Sequence, residues 1–206
     1  MIRYSEQNID YEDISNVIKT LKSDLITTGP KIPKFEKNLS KKVNSKYCVV
    51  FNSATSALHS ACLALGLKKN DWLWTSANSF VASANCGLYC GAQIDFIDIE
   101  LETFNIDLQK LEIKLKKAKK KNLLPKIIVP IVFAGQPYEK DSLIVLSKKY
   151  KFKILEDASH GLGSKYKNKN VGSNKDIISV FSFHPVKMIT TGEGGSAHTS
   201  SQKYYN

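Results

Sequence analysis

No stretch of this sequence stays apolar for the roughly 18 residues that a membrane-spanning helix needs. Its first residues, MIRYSEQNIDYED, are polar and acidic, unlike the basic and then apolar run of a secretory leader. A membrane partner is therefore not expected, and the chain reads as cytoplasmic. Cysteine is scarce. The four present, Cys48, Cys62, Cys86 and Cys90, sit in apolar segments, and none has the two-residue spacing of a zinc site. Buried free thiols are expected, with no metal and no disulfide. Acidic residues are also few, 19 against 30 lysines and arginines, which gives a formal charge of +11. That balance raises nucleic-acid binding. Much of the excess lies in KLKKAKKKN, Lys114 to Asn122, which has no interleaved aromatics and reads as a solvated helix end and loop. Nucleic acid is not expected as a partner, whereas small anionic substrates gain from the field.

What is present is ordinary globular material, 42% hydrophobic over 206 residues, enough for one sizeable core. No repeat and no linker divides it, so residues 1–206 are expected to form one domain. Apolar spacing at Ile14, Val17, Ile18 and Leu21 predicts an amphipathic helix over 10–22. The next stretch, with Gly29, Pro30 and Pro33, reads as a loop before a helix over 34–42. Strands are expected at YCVVFNS, WLWTS, QIDFIDIE, KIIVPIVFAG, FKILEDAS and DIISVFSF, with helical patterns between most of them. Another strand is expected to end near GGSAHTS. Such alternation predicts an α/β fold with a mostly parallel sheet.

Ligands of open α/β sheets bind beyond the carboxyl ends of strands. Three segments fall at such ends. In FNSATSA, Ser53, Ala54 and Thr55 form a strand-to-helix turn suited to a phosphate; a plain helix cap is the alternative. In ILEDASHGLG, Asp157 emerges from an apolar strand and needs a donor or cationic partner, either a ligand's protonated ring nitrogen or a nearby lysine. His160, three residues on, either donates to a ligand or is structural. In FSFHPVKMITTGEGG, Lys187 follows a strand and precedes a glycine-rich turn, with Ser182 as a further phosphate hydroxyl and His184 beside it. A lysine amine in a dry pocket condenses with carbonyls; a solvated surface lysine is the bland alternative. A phosphate cradle, a buried carboxylate and a lysine together point to pyridoxal 5′-phosphate. Phe80, in SANSFVASAN, either stacks on its ring or belongs to the core.

The segments FNSATSALHSA, NSFVASAN, EDASHGLGSKY and FSFHPVKMITTGEGG, in this order, closely resemble the DegT/DnrJ/EryC1/StrS family of sugar aminotransferases. The resemblance spans the chain from YSEQNID to GEGG. It implies a fold-type-I pyridoxal phosphate aminotransferase large domain, its mostly parallel sheet covered by helices on both faces, and a homodimer. It makes Lys187 the catalytic lysine, Asp157 the partner of the ring nitrogen and His160 a ring-side contact. Ser53, Ala54, Thr55 and Ser182 become phosphate ligands, and Phe80 the stacking aromatic. On the substrate side it implies Tyr4, Asp24, Leu25, Ile26 and Thr27, with His184. The HPVK form followed by ITTGEGG resembles the branch that aminates C4 of UDP-4-keto-6-deoxy-N-acetylhexosamines. That branch makes UDP-4-amino-4,6-dideoxy-N-acetyl-β-L-altrosamine on the route to pseudaminic acid, with glutamate as the usual amino donor. The retained lysine argues against the related 3-dehydratases. Members of the family carry a further C-terminal small domain, so this chain is expected to be a fragment of a longer enzyme. A non-catalytic or regulatory relative is the competing expectation, as is an aminotransferase for another keto sugar nucleotide.

Overall fold

The computed structural model describes residues 5–206. Helix α1, Tyr11–Leu21, starts at a reciprocal cap in which Asp10 and Asp13 each accept the other's backbone N–H. It forms as expected, yet its apolar stripe buries nothing among the described residues. Helix α2, Lys31–Val43, begins three residues earlier than the sequence suggests and takes in Pro33. A proline costs little in a first helical turn, where its missing N–H has no acceptor to lose.

Strand β1, Tyr47–Phe51, leads into α3, Ala54–Ala64. Strand β2, Trp72–Ser76, is followed by α4, Ala82–Tyr89. Next come β3, Gln93–Ile97, α5, Leu108–Lys120, and β4, Ile127–Val129. The expected strand over KIIVPIVFAG thus ends at Val129, because Pro130 has no N–H for the ladder. A single 3₁₀ turn, Phe133–Gly135, follows. Helix α6, Lys140–Tyr150, and β5, Lys153–Asp157, precede a small hairpin of β6, Lys165–Tyr166, and β7, Lys169–Asn170, that the sequence did not reveal. Strand β8, Ile178–Ser182, β9, Gly195–Thr199, and the short α7, Gln202–Tyr205, complete the order.

Seven strands form one sheet in the order β1-β9-β8-β5-β4-β2-β3. Only β9 runs against the others, pairing antiparallel with β1 and β8. Side chains alternate between the two faces. On β5, Ile154 belongs to the core cluster that takes in side chains of α2, α5 and α6, whereas Leu155 belongs to the cluster that takes in side chains of α3 and α4. Helices therefore cover both faces, and β4 is fully buried.

The alternation carries into the last two residues of β5. Glu156 lies on the α6 side, fully buried, with the Lys140 ammonium 2.6 Å from Oε1. Tyr138 donates to the same oxygen at 2.9 Å, and Ser179 to Oε2 at 2.6 Å. Asp157 turns to the opposite face. All four cysteines are free. Burial pushes the Cys48 thiol up to about 12. The Cys62 thiol is raised further, first by its hydrogen bond with Cys86 and then by burial. No helix among the described residues is long and apolar enough to cross a membrane.

Candidate active site

Strands β1, β2, β4, β5 and β8 all end at one edge of the sheet, and β9 begins there. A cavity of about 520 Å³ opens at that edge. Three sequence-distant groups meet in it: Ser53, Ala54 and Thr55 after β1, Asp157 and His160 after β5, and Ser182, His184 and Lys187 after β8. Phe80, just before α4, lines it too. Asp24, Leu25, Ile26 and Thr27 do not line it and lie exposed. Tyr4 is outside the described residues.

Ser53 caps α3, its hydroxyl accepting from the Ser56 N–H at 3.1 Å. The cap reading is thus correct for its side chain. It leaves the backbone N–H groups of Ala54 and Thr55 without intrahelical acceptors, facing a cavity at the positive end of a helix. The glycine-rich turn has a packing use. A Cβ on Gly195 would stand 2.6 Å from the Ser53 carbonyl carbon and closer still to the Ala54 nitrogen. Gly195 is required because β9 passes directly against the α3 entry turn.

Asp157 is only 4% exposed. Ser83 donates to Oδ2 at 2.6 Å, and Ser159 donates its hydroxyl and its N–H to Oδ1 at 2.6 and 3.1 Å. No lysine or arginine pairs with it among the described residues. Buried carboxylates ordinarily carry a countercharge, and here only neutral donors are built in.

The Lys187 Nζ stands 2.8 Å from His160 Nε2. Burial lowers the lysine below its ordinary value, partly opposed by Asp157. Burial also lowers His160, and Lys187 reinforces the shift. Two charged groups would repel at this separation, so one partner donates and the other accepts. The segment carrying Lys187 is closed at its base, where the Phe183 N–H donates to Gly194 and the Phe183 carbonyl accepts from Thr191 and Thr190.

Phe80 is 73% exposed, which rules out the core reading and leaves its ring free at the mouth of the cavity. Sequence reasoning missed Ser83 and Ser159. The two-residue step from Asp157 to Ser159 is a recognisable side-chain turn spacing. No local signal links Ser83 to a carboxylate 74 positions away.

Residues 7–206 match the DegT/DnrJ/EryC1/StrS aminotransferase family. The chain belongs to this family. One curated member, UDP-4-amino-4,6-dideoxy-N-acetyl-β-L-altrosamine transaminase of Campylobacter jejuni, is 46% identical over 204 residues, covering 98% of this chain and 52% of the relative. Another, the spore coat polysaccharide biosynthesis protein SpsC of Bacillus subtilis, is 36% identical over 97% of this chain and 50% of its own length. Among solved structures of the family, Helicobacter pylori PseC, an aminotransferase involved in the biosynthesis of pseudoaminic acid, superposes with a TM-score of 0.87 at 38% identity. The match covers 98% of this chain and 53% of that one. The fold is that of the fold-type-I aminotransferases, and the chain spans about half the length of the curated relatives it matches.

Proposed function

We propose that this chain is the cofactor-binding part of a pyridoxal 5′-phosphate-dependent aminotransferase. Its substrate would be a UDP-4-keto-6-deoxy-N-acetylhexosamine, aminated at C4 with glutamate as donor. Residues 1–206 would be one domain of a cytoplasmic enzyme that works as a homodimer, on the way to a cell-surface glycan. One observation carries the reading. A buried carboxylate without a fixed countercharge, a lysine held below its ordinary basicity and an uncapped pair of helix N–H groups share one cavity.

The donor set fits the cofactor. Ala54 and Thr55 N–H groups, with the Ser53 turn and the Ser182 hydroxyl, would bind the phosphate. Asp157 would supply the missing countercharge for a protonated ring nitrogen. Phe80 would cover one ring face. The bound cofactor supplies an aldehyde for amine exchange and a ring that accepts electrons. The chain's own residues handle the protons. His160 Nε2 would accept a hydrogen bond from Lys187 Nζ and orient the amine. Lys187 Nζ would move a proton at the substrate carbon. His184, which lines the cavity, would face the substrate. Tyr4 and the Asp24 to Thr27 stretch are proposed for the nucleotide.

Titration with pyridoxal phosphate should give a visible absorbance band. Borohydride reduction followed by peptide mapping should place the label on Lys187, and Lys187→Ala should abolish both. A wild-type chain that captures no cofactor and labels no single lysine would overturn the reading. A panel of UDP-keto sugars offered to the full-length enzyme tests the substrate assignment.

A further inference from the structure

Helix α4 starts without a capping side chain, since its N-cap is Val81 and no side chain accepts from its first turn. Something else has to fix that end, because Phe80 hangs from it. Among the described residues, Ser83 is the side chain of this helix that hydrogen-bonds to the sheet. Its residue is fully buried, and its hydroxyl donates to Asp157 Oδ2 at 2.6 Å. Its own N–H donates to the Phe80 carbonyl at 3.1 Å. A continuous path of two hydrogen bonds thus runs from the end of β5, through Ser83, to the turn that carries Phe80.

We infer that Ser83 is a positioning residue that sets the Asp157 carboxylate and the Phe80 turn relative to each other. Ser159 holds Oδ1 and Ser83 holds Oδ2, so together they fix the plane of the carboxyl group. A carboxylate oxygen accepts more than one donor, so Oδ2 keeps capacity for a group in the cavity. A hydroxyl suits this task because it orients the carboxylate without neutralising it. A lysine at position 83 would orient Asp157 equally well and cancel its charge, as Lys140 does for Glu156. The role of the pair toward a cofactor rests on the pyridoxal phosphate reading; the mechanical link between β5 and α4 does not.

Hydrogen–deuterium exchange of the ligand-free chain separates the two. Hydrogen bonds from a neutral donor to a buried charge are strong enough that Ser83→Ala should speed exchange in the peptide spanning 79–86 about tenfold or more. Amides of β4 should keep their rates. Ser83→Thr, which retains the hydroxyl, should restore parental exchange. Asp157→Ala should loosen the same peptide, and Ser83→Ala/Asp157→Ala should exchange no faster than the faster single variant. Multiplying effects in the double variant, or parental exchange in Ser83→Ala, would overturn the inference. Pyridoxal phosphate affinity should fall about tenfold in Ser83→Ala and return in Ser83→Thr. If the parent binds no pyridoxal phosphate while the exchange pattern holds, the cofactor reading fails and the Ser83 link stands.

Discussion

Glu156 and Asp157 are neighbours on one strand, both carboxylates, both buried, and they face opposite sides of the sheet. Glu156 is closed: lysine, tyrosine and serine surround it, and the Lys140 charge is in place. Asp157 is open, held by two serines, with no lysine or arginine paired to it among the described residues. The first arrangement serves the fold. The second leaves a carboxylate held only by neutral donors at the edge of a cavity. One residue of strand alternation separates structure from chemistry.

The largest expected effect breaks the closed side. Lys140→Met leaves Glu156 buried and unpaired, which should cost about 3–5 kcal/mol in urea unfolding. Lys140→Met combined with Glu156→Leu should recover most of it, since a buried ion pair is often replaceable by apolar residues. Equal losses in the single and double variants would show that the pair itself stabilises the fold.

A second closed group tests the same distinction through pH. His198 is fully buried, its Nδ1 3.0 Å from the Ser45 hydroxyl and its Nε2 2.9 Å from the Ser196 hydroxyl. Burial pushes it down to about 4 from an ordinary 6.5. The unfolded chain therefore takes up the proton first as pH falls. Stability should be intact above about 6.5 and decline by on the order of 3 kcal/mol by pH 4. His198→Gln should flatten that part of the curve, measured as thermal midpoint against pH.

The open side should respond in binding instead of stability. Asp157→Asn should weaken pyridoxal phosphate capture about tenfold or more, by loss of a charge-assisted contact worth roughly 1.5–3 kcal/mol. The ligand-free chain should lose no more than about 1 kcal/mol, since the amide oxygen still accepts one serine. Severe unfolding would assign Asp157 to the fold with Glu156. The smallest effect concerns Lys187. Asp157 raises its basicity against burial, so Asp157→Asn should move the midpoint of Lys187 labelling to lower pH. Glu156→Gln, on the far face and paired with Lys140, should leave that midpoint in place.

The main parts of the cavity were legible because strand ends are legible. An apolar run followed by Asp157, or by the segment with Lys187, tells where the side chain emerges, and the Ser53 turn marks a helix start. What stayed hidden depended on pairing across the sequence. Ser83 and Asp157 meet only because the start of α4, packed on α3 and β2, reaches the end of β5. Gly195 stood in the sequence only as part of a glycine-rich turn, and the structure makes it a close backbone approach to Ala54. Pro33 read as a breaker, whereas a first helical turn tolerates it. The stripe on α1 shows the reverse limit: periodicity identified the helix correctly but did not tell what, if anything, would cover it.

The placement of β9 has a consequence in time. Strand β1 pairs with β9 alone, and β9 separates it from the rest of the sheet. Strand β1 must wait for a neighbour that follows 144 residues after it, Phe51 to Gly195. At synthesis rates of roughly 5–20 residues per second, that wait is on the order of ten seconds. Until β9 slides into its slot, the Ser53 turn and the Lys187 segment belong to separate parts of a nascent chain. Amide protection on β1 during translation should therefore lag that on β4.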